Sequence, residues 1–479
     1  MKNIGKITIL VWVSVLFIAC KGDFLEVTPP GKLIASTTSD YDLLLNSLTL
    51  GNQFITKPQA MGDEMAGIEP YYAGATQQQQ RAFQWEKDIY EQNEDAQEIS
   101  DPTKALYLYN IVINEVLASV GGSEAQKKTL QAEALAGRAW TYFQLINLFA
   151  PPYVAATAAT DKGFPIIDRA NVLLNNFQRN TVKEVYDFII NDLQSALPYL
   201  DQVPRHRFRM SKPAAQALLG KVYLFMGLFE QALPHLDTAM SGINTSTYPV
   251  RLYDYNVTFG PGGAFLPITI FGPLLPNLYN YEENLYARQS IGDWTGVSNA
   301  LVLTPATMAL YGPSDLRRNF LHSAPYPSGA NFPLGMARKT APFSPIIGML
   351  VSDIYLMRAE VRARLGNLTG SKADLEALRI KRMPVSAAPV PNSVAIDRIA
   401  LVKFALEERI REYSGLGYRW YDMRRLSVDA EFSATVKREH TIYTNQGSIA
   451  KTFTLTNNRL TFKIPPKVLA ENPQMQDND

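Results

Sequence analysis

The clearest hydrophobic rhythm in the chain runs through Val182, Val185, Tyr186, Ile189, Ile190, Leu193, Ala196 and Leu197, whose three- and four-residue steps set one apolar stripe along a helix. Pro198 marks its end. The same period predicts helices over residues 103–120 and 125–149, parted by Gly121-Gly122, and again over 353–365, 372–381 and 397–413. Nearer the start, Ser39 is the expected cap of a further helix, with Asp40 and Asp42 in its first turn, where negative charge suits the helix dipole. Between residues 51 and 99 the rhythm is lost, and Gln77-Gln78-Gln79-Gln80 reads as an exposed loop. Residues 441–443 and 451–455 read as a β-hairpin ahead of Pro465-Pro466.

Ser211 caps another expected helix, with Pro213 in a first turn that needs no amide hydrogen there. Gly220, Tyr223, Gly227, Phe229 and Ala232 then follow the small-and-aromatic spacing of a tetratricopeptide repeat, in which small residues let paired helices approach. A weaker echo stands at Ala359, Gly366, Leu368 and Ala373, and the helix around 132–148 offers a third copy. Such pairs cannot bury their faces alone, so they stack into one scaffold. The fold class expected is therefore mainly α, a superhelix of tetratricopeptide-like pairs carrying an irregular segment.

That segment is residues 241–349. It holds 12 of the 30 prolines, 11 of the 29 glycines and 15 of the 51 aromatic residues, a mixture that breaks long helices and favours loops and short strands. The expected division is residues 20–240 and 350–479 as helical scaffold around 241–349, all within one large domain.

Charge removes some classes of function. Lys and Arg number 46 against 45 Asp and Glu, so no global field draws nucleic acid to the chain. The single cysteine excludes internal disulfides, Cys-rich zinc sites and Cys-ligated clusters. Its position gives it another meaning. Lys2 and Lys6 precede an apolar run over residues 7–19 that is short for a bilayer span, and the run ends in Phe17-Ile18-Ala19-Cys20. This reads as a lipoprotein signal covering residues 1–19, with Cys20 as the lipidated residue that ties the protein to a bilayer.

Enzymatic motifs are scarce. His206, His235, His322 and His440 are isolated, and no metal or cofactor is expected. Gly415 and Gly417 have the spacing of a dinucleotide fingerprint, but Trp420 fills its third position. Glu407 and Glu408 point about 100° apart on a helix, so a salt-bridged face with Arg409, Arg411 and Glu412 is expected rather than a glycosidase pair. The run Arg205-His206-Arg207-Phe208-Arg209 reads as a solvated connector.

Sugar rings have apolar C–H faces and hydroxyl rims, and flat aromatic side chains edged by polar groups suit them. Tyr71, Tyr72, Trp85, Tyr279, Tyr281 and Trp294 are the candidate platforms, each with core packing as its competing role. Trp294 leads them because it sits in a polar stretch, Gln289-Ser290-Ile291-Gly292-Asp293-Trp294-Thr295-Gly296, and Asp293 joins it as a polar edge.

The chain resembles the SusD/RagB outer-membrane nutrient-binding lipoproteins of Bacteroidetes. The likeness is carried by Cys20-Lys21-Gly22-Asp23-Phe24-Leu25, by Arg209-Met210-Ser211-Lys212-Pro213 and by Asp353-Ile354-Tyr355-Leu356 with Arg358-Ala359-Glu360. Its most specific part is Glu408-Arg409-x-x-Glu412 followed by Gly417-x-Arg419-Trp420-x-Asp422 and Arg425, with Leu416 where the family usually has Glu. The resemblance implies a surface lid on a TonB-dependent transporter that captures oligosaccharides and delivers them without breaking bonds. Peptide capture by the same architecture is the alternative. Two further readings are a hydrolase using Asp293 and Glu283, and a purely structural partner of the transporter.

Overall fold

The structure, a computed structural model, describes residues 35–171, 173, 176–203, 205–244, 249–292 and 298–479. Cys20, Asp293 and Trp294 lie outside the described residues. The main helices are α1 (Thr38–Leu44), α2 (Gln97–Glu115), α3 (Glu124–Phe149), α4 (Val182–Ala196), α5 (Lys212–Phe225), α6 (Phe229–Asn244), α7 (Val351–Arg364), α8 (Leu368–Arg379), α9 (Arg398–Tyr413) and α10 (Tyr418–Ser427). Successive helices pack as pairs, α2 on α3, α3 on α4, α5 on α6 and α7 on α8, with α6 and α9 both against α7. The mainly α class and the tetratricopeptide-like scaffold are thus as the periodicity predicts.

Small residues make the tightest pair possible. A Cβ on Gly220 would lie 2.7 Å from the side chain of Leu236, so α5 and α6 approach as closely as they do only because Gly220 has none. Gly227, at φ 75°, turns the chain between them.

Local chemistry moves several boundaries. The cap of α1 is Thr37, not Ser39: the Thr37 side chain accepts from the Asp40 amide while the Asp40 carboxylate accepts from Thr37, a reciprocal capping box. The glutamine run is not a loop but the start of a helix, Gln77–Phe83. Thr76 caps it, Gln80 donates back to the Ala75 carbonyl, and Ala82 and Phe83 are buried. The β-hairpin forms over Glu439–Tyr443 and Ile449–Thr454. It belongs to a four-stranded sheet of β1 (Met65–Ile68), β2 (Leu301–Leu303), β3 (Glu439–Tyr443) and β4 (Ile449–Thr454) in the spatial order β4-β3-β1-β2. β1 runs parallel to β3 and antiparallel to β2.

The expected salt-bridged face forms in part, Arg411 meeting Glu408 at 2.9 Å and Glu407 at 3.5 Å, but most of its charge is turned inside the helical layer. Glu408 is fully buried and receives Arg317, Arg379 and Arg411 at 2.7, 2.6 and 2.9 Å. Arg409 reaches Asp353 at 2.6 Å and Asp422 at 2.9 Å, while Lys221 meets Asp353 at 2.9 Å and Arg425 meets Glu360 at 2.7 Å. These pairs tie α5, α7, α9 and α10 together, and each charge is desolvated only because it is paired. The basic run 205–209 is likewise no solvated connector. Arg207 and Arg209 are buried, Arg209 on Glu133 and on Asp42 at 2.8 Å, and Arg207 on the carbonyl of Tyr281 at 3.0 Å.

Candidate functional site

Loop segments of the 241–349 stretch are held by backbone and buried side chains rather than by long elements. Phe265 is fully buried against Tyr253, Tyr255 and Phe259, and its amide and carbonyl bond Thr258 and Leu274. Thr269 and Gly272 exchange backbone hydrogen bonds of 2.9 and 2.8 Å, forming a tight turn with Phe271 at its tip. Arg338, buried, donates to the Ile270 carbonyl at 2.6 Å and to the Ala324 carbonyl at 3.0 Å. The Asn277 carboxamide oxygen accepts from the Tyr279 and Asn280 amides, and the Asn284 side chain donates to the Leu278 carbonyl at 2.8 Å. Glu283 carries the anchor to the scaffold: Arg382 donates to both its oxygens, at 2.9 and 3.0 Å, and also reaches Glu412 of α9 at 2.7 Å.

Held in this way, residues 267–281 and 341–346, with Gln289 between them, enclose an open cleft of about 480 Å³. Its walls are apolar and stiff, with Pro267, Pro273, Pro276 and Pro342 among them. Phe271, Leu274 and Phe343 remain 40, 60 and 41% exposed in it, large apolar faces offered to solvent. The Phe271 ring lies 5.1 Å from that of Tyr326 and 6.1 Å from that of Phe343. Asn299 fixes Tyr326 by exchanging two hydrogen bonds with its backbone, at 2.7 and 2.8 Å.

The sequence-derived platforms among the described residues fall in three places. Tyr279 and Tyr281 line the cleft; Tyr279 is half-buried, its ring 5.9 Å from Phe208, and Tyr281 is buried with its ring 5.1 Å from Tyr253. Burial pushes the Tyr281 phenol well above its ordinary range, so it stays neutral. Trp85 and Tyr72 are instead core residues, which corrects the expectation that they offer faces to a ligand. Trp85 stacks on His440 at 3.7 Å and gives its indole N–H to the Met61 carbonyl. Tyr72 donates to the Gln80 carbonyl and packs 5.1 Å from Phe83. Tyr71 is half-buried edge-on to Phe332 at 5.8 Å, beside the loop that carries Tyr326.

Phe271, Phe343 and Tyr326 escaped the sequence reading. A partial signal existed: Phe343 stands between Pro342 and Ser344-Pro345, and Phe271 precedes Gly272-Pro273, turn formers that keep a ring out of a regular element. Glu283, a candidate carboxylate for hydrolysis, is a buried ion-pair partner. Among the described residues no cluster of His, Cys, Asp or Glu is arranged to hold a metal ion, and no helix is long and apolar enough to cross a membrane.

The fold is thus a stack of helix pairs carrying an irregular segment with an aromatic-edged cleft, and comparison with known proteins places that fold. Residues 23–224 match a family model described as "Starch-binding associating with outer membrane", SusD-like, and residues 346–479 match that of the SusD family. The chain belongs to the SusD/RagB family. It is 24% identical over 368 residues to SusD-like protein P2 of Formosa agariphila, covering 66% of this chain and 70% of the relative. Among solved structures, a putative sugar binding protein of Bacteroides vulgatus superposes with a TM-score of 0.70 at 19% identity, covering 93% of this chain and 99% of its own. A laminarin binding SusD-like protein does so with a TM-score of 0.63 at 20% identity, over 92 and 99%.

Proposed function

We propose that the protein is a non-catalytic binding lipoprotein of the outer-membrane surface that captures oligosaccharides and delivers them to a TonB-dependent transporter, anchored by acylated Cys20. The observation that carries this reading is the cleft itself: exposed rings of Phe271 and Phe343 at the mouth of a stiff cleft, with Tyr279 and Tyr281 in its lining. Carbohydrate C–H faces pack on such rings, and burying apolar area is worth roughly 25 cal/mol per Å². The family description and the laminarin-binding relative support a glycan ligand. Residues 241–349 are the ligand segment in this proposal, residues 20–240 and 350–479 the scaffold, and Trp294 and Asp293 remain candidate contacts. Absence of bond breaking is supported by Glu283, whose carboxylate is committed to Arg382.

Titration of a glycan panel and a peptide mixture into the purified chain tests the reading. Binding of a glycan that falls about ten-fold or more in Phe343→Ala, equivalent to roughly 1.4 kcal/mol, is expected. Binding of peptides alone would replace the ligand class, and hydrolysis products from a bound glycan would replace the non-catalytic role. Affinity unchanged in Trp294→Ala would remove Trp294 from the site. Co-purification of a transporter from outer membranes tests the partner.

A further inference from the structure

The cleft differs from the other large depressions of the surface in one respect. The groove between residues 95–108 and 467–475 is lined by Asp95, Lys104, Lys467 and Glu471, and the one beside 250–258 by Arg251, Asp254 and Lys381. Among the described residues, none of the 18 lining the aromatic cleft is Lys, Arg, His, Asp or Glu. Its polar side chains are Thr269, Asn277, Tyr279, Tyr281, Gln289 and Ser344, all neutral hydrogen-bonding groups.

The arginines close to the cleft are committed to the fold, and His206, whose ring lies 5.6 Å from that of Tyr279, is pushed toward its neutral form by burial and by Arg207. Arg207 donates to the carbonyls of Tyr281 and Pro249, Arg288 to those of Phe208 and Ala287, and Arg338 to those of Ile270 and Ala324. Turning any of them toward a ligand would break hydrogen bonds that hold the surrounding backbone, those of Arg288 fully buried. A carboxylate or sulfate entering the cleft would therefore lose water without meeting a counter-charge, whereas hydroxyl groups can exchange water for the neutral partners present.

Resting on the glycan-capture reading above, we infer that this cleft selects uncharged oligosaccharides and rejects uronate-containing or sulfated ones. The ring faces supply attraction that charge does not modulate. Selectivity follows from what the walls lack.

The test uses the full chain purified in detergent, with laminarin, starch and galactomannan as neutral probes and alginate as an anionic one. The best neutral binder is also sulfated chemically, which keeps its backbone and changes only its charge. Affinity for the neutral polymer should change by less than about two-fold between about 50 and about 500 mM NaCl, since no ion pair is formed to be screened. Sulfation should weaken binding at least about ten-fold. Leu274→Lys, which adds a cation at an exposed cleft position, should recover affinity for the sulfated polymer and make it salt-dependent. Equal or tighter binding of the sulfated form or of alginate by the unaltered chain, reduced by Phe343→Ala, overturns the inference while leaving glycan capture standing. Failure of every polymer to bind removes both.

Discussion

Glu64 and Glu408 are both buried glutamates, and their surroundings drive them in opposite directions. Burial, then the neighbouring Asp63 carboxylate, push Glu64 up to about 7; the Arg419 cation is bound to Asp63, and the Gly415 amide donates to one Glu64 oxygen at 3.3 Å. For Glu408 burial also acts upward, but Arg317, Arg411 and Arg379 outweigh it and hold the carboxyl at about 2. A folded pKa raised above its unfolded value gives stability that is present below the unfolded value and lost as pH rises through the folded one. Glu64 therefore costs about 3 kcal/mol at pH 8, and Glu64→Gln should recover that amount there but less than about 1 kcal/mol at pH 5, in urea unfolding at the two pH values. Glu408 has the reverse sign: its contribution stands above pH 4.5 and disappears as pH falls through 2. Glu408→Gln should lower stability at pH 7 by about 3–5 kcal/mol and flatten the acid limb of the melting curve.

At the scale of elements, the α5–α6 pair puts a prediction on one missing atom. Gly220→Ala should destabilise the chain by about 1–3 kcal/mol through overpacking on Leu236, and Leu236→Ala in the same chain should relieve part of that cost, giving a favourable coupling in a double-mutant cycle. The helices were legible because an apolar stripe at period 3.6 is written in adjacent residues; the stripe from Val182 to Ala196 became α4 almost to the residue. Capping was less so. Thr37 is separated from Asp40 by two residues that also look like caps, and only the reciprocal pair of hydrogen bonds decides between them. The glutamine run misled because its composition is polar while its helix rests on Thr76 at one end and Phe83 at the other. The salt-bridged face expected of α9 became an interior one because the partners Arg317, Arg379, Arg382 and Asp353 come from elsewhere in the chain, where no local pattern shows them.

For the molecule as a whole, the irregular segment is joined to the helical layer by the chain Glu283, Arg382, Glu412, Arg317, Glu408, in which each ion meets the next at 3.0 Å or less. This coupling makes the cleft depend on the scaffold: Arg382→Met, which leaves Glu283 and Glu412 buried with a cation removed, should cost about 3–5 kcal/mol in stability and weaken glycan binding although Arg382 does not line the cleft. The irregular character of residues 241–349 could be read from their proline, glycine and aromatic content, but which rings face solvent could not. Trp85 stands among polar residues and Phe343 between prolines, and neither neighbourhood decides exposure; the difference between them is the tertiary partner, His440 stacked on the first and open cleft before the second. The most direct measurement is crystallographic: the chain is soaked with the oligosaccharide of its best-binding neutral polymer and the ligand density located. A sugar ring is expected to lie flat on Phe343 or Phe271 within the cleft of residues 267–281 and 341–346. Density seated in another depression, with this cleft empty at saturating ligand, would contradict it.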